Sequence, residues 1–189
     1  MFDGRFKTQI ERYVRPVGES LRRTGLSPDH FTLLGLCVAA ASAVAIGTGK
    51  MQLGLLLVIC SALPDLLDGA LAKASNSASQ RGAFFDSVVD RVSDSFLFGG
   101  VAWFYASSDT PQFSIVPFAI LGASLIISYE RAKAESLGLY AKGGLMERAE
   151  RIILLCFGLL FDSLLKWVMV VMLVLVVMTA VQRFAKVWK

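Results

Sequence analysis

The chain has 189 residues, 55% of them hydrophobic, and a formal net charge of +4. Its mean hydropathy of +0.60 is too high for a soluble domain, which leaves an integral membrane protein, one domain by size. The single histidine, His30, excludes a histidine-rich metal site. Cys37, Cys60 and Cys156 are odd in number and fall inside apolar runs, so they imply packing residues rather than a disulfide framework.

Residues 1–23 place Phe2, Phe6, Ile10, Tyr13, Val14, Val17 and Leu21 at steps of three and four, with Arg5, Lys7, Arg12, Arg15, Arg22 and Arg23 largely between them. That pattern predicts an amphipathic helix lying in the headgroup region; a helix packed on a soluble partner is the plainer alternative. No secretory signal is visible, because the first 27 residues are polar and the first apolar run is long enough to remain as a span. Gly25 to Asp29 breaks this helix, with Ser27 as cap and Pro28 in the first turn of the next.

Six spans are expected at about 30–49, 51–73, 82–106, 113–136, 146–163 and 165–186, each near the ~20 residues a bilayer requires. The fold class is therefore all-α integral membrane: a juxtamembrane helix over 1–24, then a six-helix transmembrane domain over 25–189. The loop at Ser107–Gln112 lacks Lys and Arg, and the turns near Lys50 and Lys166 carry one each. The basic amino terminus, Lys73, Arg81, the segment from Arg131 to Arg151, and Arg183, Lys186 and Lys189 fall on the other side. The positive-inside rule then places both termini in the cytoplasm, in a multi-pass protein of the cell (inner) membrane. The turn between the last two spans is inferred mainly from length, since Asp162 and Lys166 are the only charges there.

Chemistry gathers between Asp65 and Asp90. Four carboxylates stand between apolar runs, where each would cost roughly 2.5–3.5 kcal/mol alone at mid-bilayer. Asp65 and Asp68 are three residues apart, Asp86 and Asp90 four, so each pair shares a helix face. Such pairs suit hard divalent cations, which prefer carboxylate oxygen, and Asp86 is placed to bridge two ions. Gly69 and Gly82 leave room for close approach to the backbone. A second cluster follows: Ser128-Tyr-Glu-Arg131-Ala-Lys133-Ala-Glu135, then Glu147-Arg148-Ala-Glu150-Arg151. Arg148 and Arg151 lie one turn apart and Arg131 can face them, which suits an acceptor carrying its own phosphate. The plainer alternative is that these are cytoplasmic-end charges paired with Glu130, Glu135, Glu147 and Glu150. Asp94 is expected to pair with Arg91 or make an end-of-helix contact. Gly35, Gly99, Gly100 and Gly122 are expected to permit close helix contacts, within the bundle or between protomers.

The spacing Asp65-x2-Asp68-Gly69-x2-Ala72-Lys73-x8-Gly82-x3-Asp86-x3-Asp90 resembles the signature of the CDP-alcohol phosphotransferase family, matched at seven of eight fixed residues. Lys73 stands where the family has Arg, a point charge in place of a planar fork. The resemblance spans roughly residues 12–188. It implies Asp65, Asp68, Asp86 and Asp90 as ligands of two Mg2+ ions, or Mn2+, with Asp90 also the general base. For the CDP-lipid it implies Asp29, His30, Phe31, Thr32, Asp68, Gly69, Lys73, Ser79 and Gly82. The second cluster is similar to the branch of prokaryotic phosphatidylinositol-phosphate synthases, with Arg131 where that branch has Lys. This implies an acceptor pocket of Ser128, Arg131, Arg148, Arg151 and Arg183. CDP-diacylglycerol would donate its phosphatidyl group to D-myo-inositol 1-phosphate or 3-phosphate, releasing CMP. The resemblance also implies a homodimer among membrane lipid, and no nucleic-acid partner.

Glycerol 3-phosphate or another phosphorylated polyol is the alternative acceptor. A cation transporter would spread its acids along several spans, whereas these acids share one level. An inactive scaffold would lack one of the four acids.

Overall fold

The computed structural model of the chain describes residues 28–62, 80–141 and 143–188. The expected amino-terminal helix, Asp65, Asp68, Gly69, Lys73 and Ser79 lie outside the described residues, as does the side chain of Asp29. Among the described residues there are six α-helices and no strand: α1 (Pro28–Gly47), α2 (Met51–Ala62), α3 (Gln80–Ala106), α4 (Ile115–Ser136), α5 (Arg148–Leu160) and α6 (Leu165–Trp188). Short 3-10 turns, Pro111–Ser114 and Asp162–Leu164, lead into α4 and α6.

Local chemistry sets these ends. α1 begins at Pro28, whose fixed φ suits a first turn and whose missing N–H would have had no partner there. It stops at Gly49, where φ is +79°. The Lys50 amide donates to the Ala45 carbonyl at 2.8 Å and the Gly49 amide to Ile46 at 2.9 Å, a Schellman cap. α4 ends in the same way at Gly138 (φ +73°), with Leu139 donating to the Ala134 carbonyl at 2.8 Å. Between α5 and α6 the chain breaks at Phe161, with φ −117° and ψ 78°. The turn inferred from length between the last two spans is therefore present.

α1 packs most extensively on α3, α4 on α6, and α5 on α6, and α3 against α4 joins the two sets. The core is continuous through these pairs, with Ile46, Phe98, Ile120, Leu155, Met169 and Met172 essentially inaccessible. Large apolar side chains also cover the outside, among them Leu34, Phe118, Val171 and Val181, as expected where lipid is the solvent. Cys37 and Cys60 lie exposed, so of the three free cysteines only Cys156 is part-buried and close to its expected packing role.

Three stretches among the described residues are long and apolar enough to cross a membrane: His30–Gly47, Pro111–Ser136 and Asp162–Trp188. α3 is 27 residues long but carries Arg81, Asp86, Asp90, Arg91 and Asp94 between its start and its middle turn. The expected span over 146–163 contracts to 13 residues, Arg148–Leu160. The preceding chain follows positive φ at Gly143 (+97°) and Gly144 (+148°), which a helix cannot include.

The helix ends sort by charge. Gln52 Nε2 donates to the carbonyls of Leu159 (3.5 Å) and Leu160 (3.3 Å). Lys166 Nζ stands 5.7 Å from the Phe113 ring centroid. A shallow cavity of about 320 Å³ is lined by Gly49, Met51, Phe104, Asp162 and Ser163. The three turns poorest in positive charge thus meet at one end, and Asp90, Arg148, Arg151 and Arg183 gather at the other.

Candidate active site

On α3, Asp86 is exposed and Asp90, one turn later, is part-buried. Their carboxylates share a helix face because 3.6 residues make one turn. Asp90 Oδ1 lies 2.7 Å from Arg148 Nη1, and Oδ2 lies 3.3 Å from Arg91 Nη1. Arg91 therefore serves Asp90 rather than Asp94, contrary to the expectation from spacing.

Asp94 turns inward instead, leaving only 4% of its surface accessible. Its Oδ2 accepts a 2.6 Å hydrogen bond from Arg151 Nη2, and its Oδ1 is 3.6 Å from Arg148 Nε. Arg148 thus spans two carboxylates on successive turns of α3. Arg151, 3% accessible, also donates from Nη1 to the Met146 carbonyl at 3.3 Å. Among the described residues the ion pairs given for these two arginines are with Asp90 and Asp94, where the plainer reading expected glutamates.

The remaining expected acceptor residues separate into two settings. Arg183 is 4% accessible. Its Nε donates to the Gly143 carbonyl at 2.8 Å, Nη1 to the Ile127 carbonyl at 3.0 Å, and Nη2 to Glu147 Oε1 at 3.0 Å. It clamps α4, the glycine loop and the start of α5 together, and it lies within electrostatic reach of Arg131, Glu130 and Arg151. Arg131 pairs with Glu135 on its own helix, Nε to Oε1 at 3.0 Å, with 43% of its side chain accessible. Ser128, part-buried, donates back to the Ser124 carbonyl at 3.0 Å. The structure thus brings Arg148, Arg151 and Arg183 to one end of the bundle, with Arg131 at its rim.

Two supports were not singled out by the sequence. Thr179 Oγ1 accepts from the Met146 amide at 3.0 Å and donates to the Leu175 carbonyl at 2.8 Å. Gly144 leans on that residue, and a Cβ there would collide with Thr179 Cγ2. Together they fix the entry to α5 and hence Arg148 and Arg151. The adjacent glycines 143 and 144 were the available signal.

The donor set suits a hard divalent cation. Asp86 and Asp90 offer carboxylate oxygens one turn apart, and Asp90 lies between the guanidinium groups of Arg91 and Arg148. Among the described residues no three such ligands come together; Asp65 and Asp68 lie outside them. Of the residues expected to hold the nucleotide, Thr32 is buried and His30 exposed at the start of α1, Phe31 and Gly82 being part-buried.

The sequence profile of the CDP-alcohol phosphatidyltransferase family matches residues 26–182. The chain is 36% identical over 146 residues to the phosphatidylinositol phosphate synthase of Mycolicibacterium smegmatis, covering 76% of this chain and 66% of that one. It is 34% identical over 189 residues to the archaetidylinositol phosphate synthase of Methanothermobacter thermautotrophicus, covering 97% and 93%. The crystal structure of Mycobacterium tuberculosis phosphatidylinositol phosphate synthase with CDP-DAG bound superposes with a TM-score of 0.87 at 35% identity, over 94% of both chains. The same enzyme in complex with manganese and citrate gives 0.87 at 34% identity, over 93% and 89%. On profile, relatives and fold together, this chain belongs to the CDP-alcohol phosphatidyltransferase family.

Proposed function

We propose that this chain transfers the phosphatidyl group of CDP-diacylglycerol to D-myo-inositol 1-phosphate or 3-phosphate, releasing CMP and forming phosphatidylinositol phosphate. The observation that carries the reading is the placement of Arg148, 2.7 Å from Asp90, with the buried Arg151 beside it on Asp94. Two guanidinium groups next to the candidate reacting carboxylate suit an acceptor that brings its own phosphate. The names of the relatives agree with it.

In this reading the acceptor hydroxyl attacks the β-phosphorus, its proton passes to Asp90, and the bond from phosphorus to the CMP oxygen breaks. Asp65, Asp68, Asp86 and Asp90 would hold two Mg2+ ions, or Mn2+, which when bound supply charge neutralisation at the diphosphate. Asp29, His30, Phe31, Thr32, Gly69, Lys73, Ser79 and Gly82 would hold the nucleotide. Ser128, Arg131, Arg148, Arg151 and Arg183 would receive the acceptor, Arg131 from the rim and Arg183 by exchanging Glu147 for phosphate.

Six spans in the cell membrane, with the active site and both termini cytoplasmic, complete the proposal. The gathering of the weakly charged turns at one end and the arginines at the other supports that orientation. The homodimer implied by the family resemblance belongs to the same reading.

The test is release of labelled CMP from CDP-diacylglycerol by the purified chain with Mg2+ or Mn2+, across a panel of acceptors. Turnover with inositol phosphate, and none with free inositol, supports the reading. Turnover with glycerol 3-phosphate in its place would keep the chemistry and overturn the acceptor.

A further inference from the structure

We infer that Asp94 is a positioning residue for the phosphate of the acceptor, holding Arg151 and Arg148 at a fixed spacing beside Asp90. The inference rests on the reading above that the acceptor is phosphorylated. Asp94 is a carboxylate 4% accessible on α3, and Arg151 is 3% accessible on α5, 57 residues away in sequence. A buried ion pair is a weak device for stability, since apolar residues of similar volume serve as well or better. Its presence here is better accounted for by what it orients.

The geometry fits that role. Arg148 and Arg151 lie one turn apart at the start of α5, where two like charges repel. Asp94 stands against both, 2.6 Å from Arg151 Nη2 and 3.6 Å from Arg148 Nε. With Nη2 on Asp94 and Nη1 on the Met146 carbonyl, the Arg151 fork is locked by two groups of its own chain, while its buried Nε meets no hydrogen-bond partner among the described residues. Asp94 Oδ1 is likewise buried without a hydrogen bond among the described residues. The Arg151 fork is therefore fixed while its Nε donor stays unsaturated, as in a preformed anion site; the spare oxygen of Asp94 accepts and serves the arginines, not the phosphate. Asp94 lies one turn deeper on α3 than Asp90, so it acts through the arginines and does not itself meet the reacting atoms.

The experiment is steady-state kinetics of the purified full-length chain and of Asp94→Asn, Asp94→Ala and Asp94→Glu, varying inositol 1-phosphate and CDP-diacylglycerol separately. Asp94→Asn, nearly isosteric, should raise the acceptor KM by about tenfold or more and leave the donor KM within about twofold, because Arg151, which Asp94 holds most closely, is assigned to the acceptor and to no donor contact. Asp94→Ala should raise it further, and Asp94→Glu should recover part of the loss. An unchanged acceptor KM in Asp94→Asn overturns the inference, and so does an equal change in both KM values, which is what a purely structural residue would produce. If the wild-type chain uses a different phosphorylated alcohol, the acceptor named above is wrong and the same comparison on that alcohol decides Asp94. Turnover only with unphosphorylated alcohols overturns both.

Discussion

Gly100 of α3 lies against the backbone of Ala43 of α1, so close that a Cβ at residue 100 would stand 2.6 Å from the Ala43 carbonyl oxygen and 2.7 Å from its Cα. Backbone cannot yield as a flexible side chain can, so even one methyl must separate the helices. Gly100→Ala should destabilise the chain by about 1–3 kcal/mol, the usual cost of overpacking. Gly99 has no atom within 4 Å of the same construction, and Gly99→Ala should leave stability unchanged or slightly raised, since Ala favours helix over Gly. Thermal unfolding in detergent, read by circular dichroism, compares the two; equal midpoints would mean that α1 and α3 are not packed this closely.

Thr179→Val removes the acceptor that the Met146 amide uses at 3.0 Å. A buried amide left without a partner costs about 1–3 kcal/mol. Because this bond holds the entry to α5, activity should fall with stability. Thr179→Ser keeps the hydroxyl and should retain most of both. A Val variant as active and stable as the Ser variant would show that the hydrogen bond contributes little.

Arg183→Lys should not behave as a conservative exchange. Three nitrogens of the guanidinium bind Gly143, Ile127 and Glu147, and one ammonium cannot reach all three in that planar pattern. Lys keeps the charge but leaves carbonyls of Gly143 and Ile127 without their donors, which predicts about 1–3 kcal/mol of destabilisation, together with a raised acceptor KM. Denaturation midpoints and kinetics measured on the same preparation check it. Wild-type values for both would leave the clamp without a role.

Asp90→Asn should lower turnover by about 10²–10⁴-fold, the range of a lost general base, and more if a metal ligand is lost with it. Chelation with EDTA should abolish turnover of the wild-type chain, and added Mg2+ or Mn2+ should restore it. Turnover that survives EDTA would remove the divalent ion from the proposal.

Much of this was visible in the residue pattern because its cause is local. Apolar runs near bilayer length became helices, Pro28 and the turn near Lys50 marked helix ends, and Asp86 and Asp90 share a face by their spacing alone. The partnership of Asp94 with Arg151 was not visible, because it joins residues 57 positions apart and nearby Arg91 offered an equally good local partner. Arg183 read as one of the charges on the basic side and, by the resemblance, as an acceptor residue; its bonds to carbonyls of α4 and the glycine loop are not revealed by composition. Likewise, of four glycines expected at close contacts, Gly100 meets backbone while Gly99 and Gly122 face open space, a difference set by helix rotation.

The short α5 has its own consequence. It runs 13 residues against the 24 of its neighbour α6, and the two share the turn at Phe161. At 1.5 Å per residue α6 therefore projects roughly 16 Å beyond the start of α5. Thr179 and Arg183 belong to that overhang, and the glycine loop folds against it in place of further helix. The recess in which the arginines meet the carboxylates of α3 is in effect a missing helical end: the chain makes room for polar chemistry by stopping one rod early, so the length of α5 sets the depth of the site.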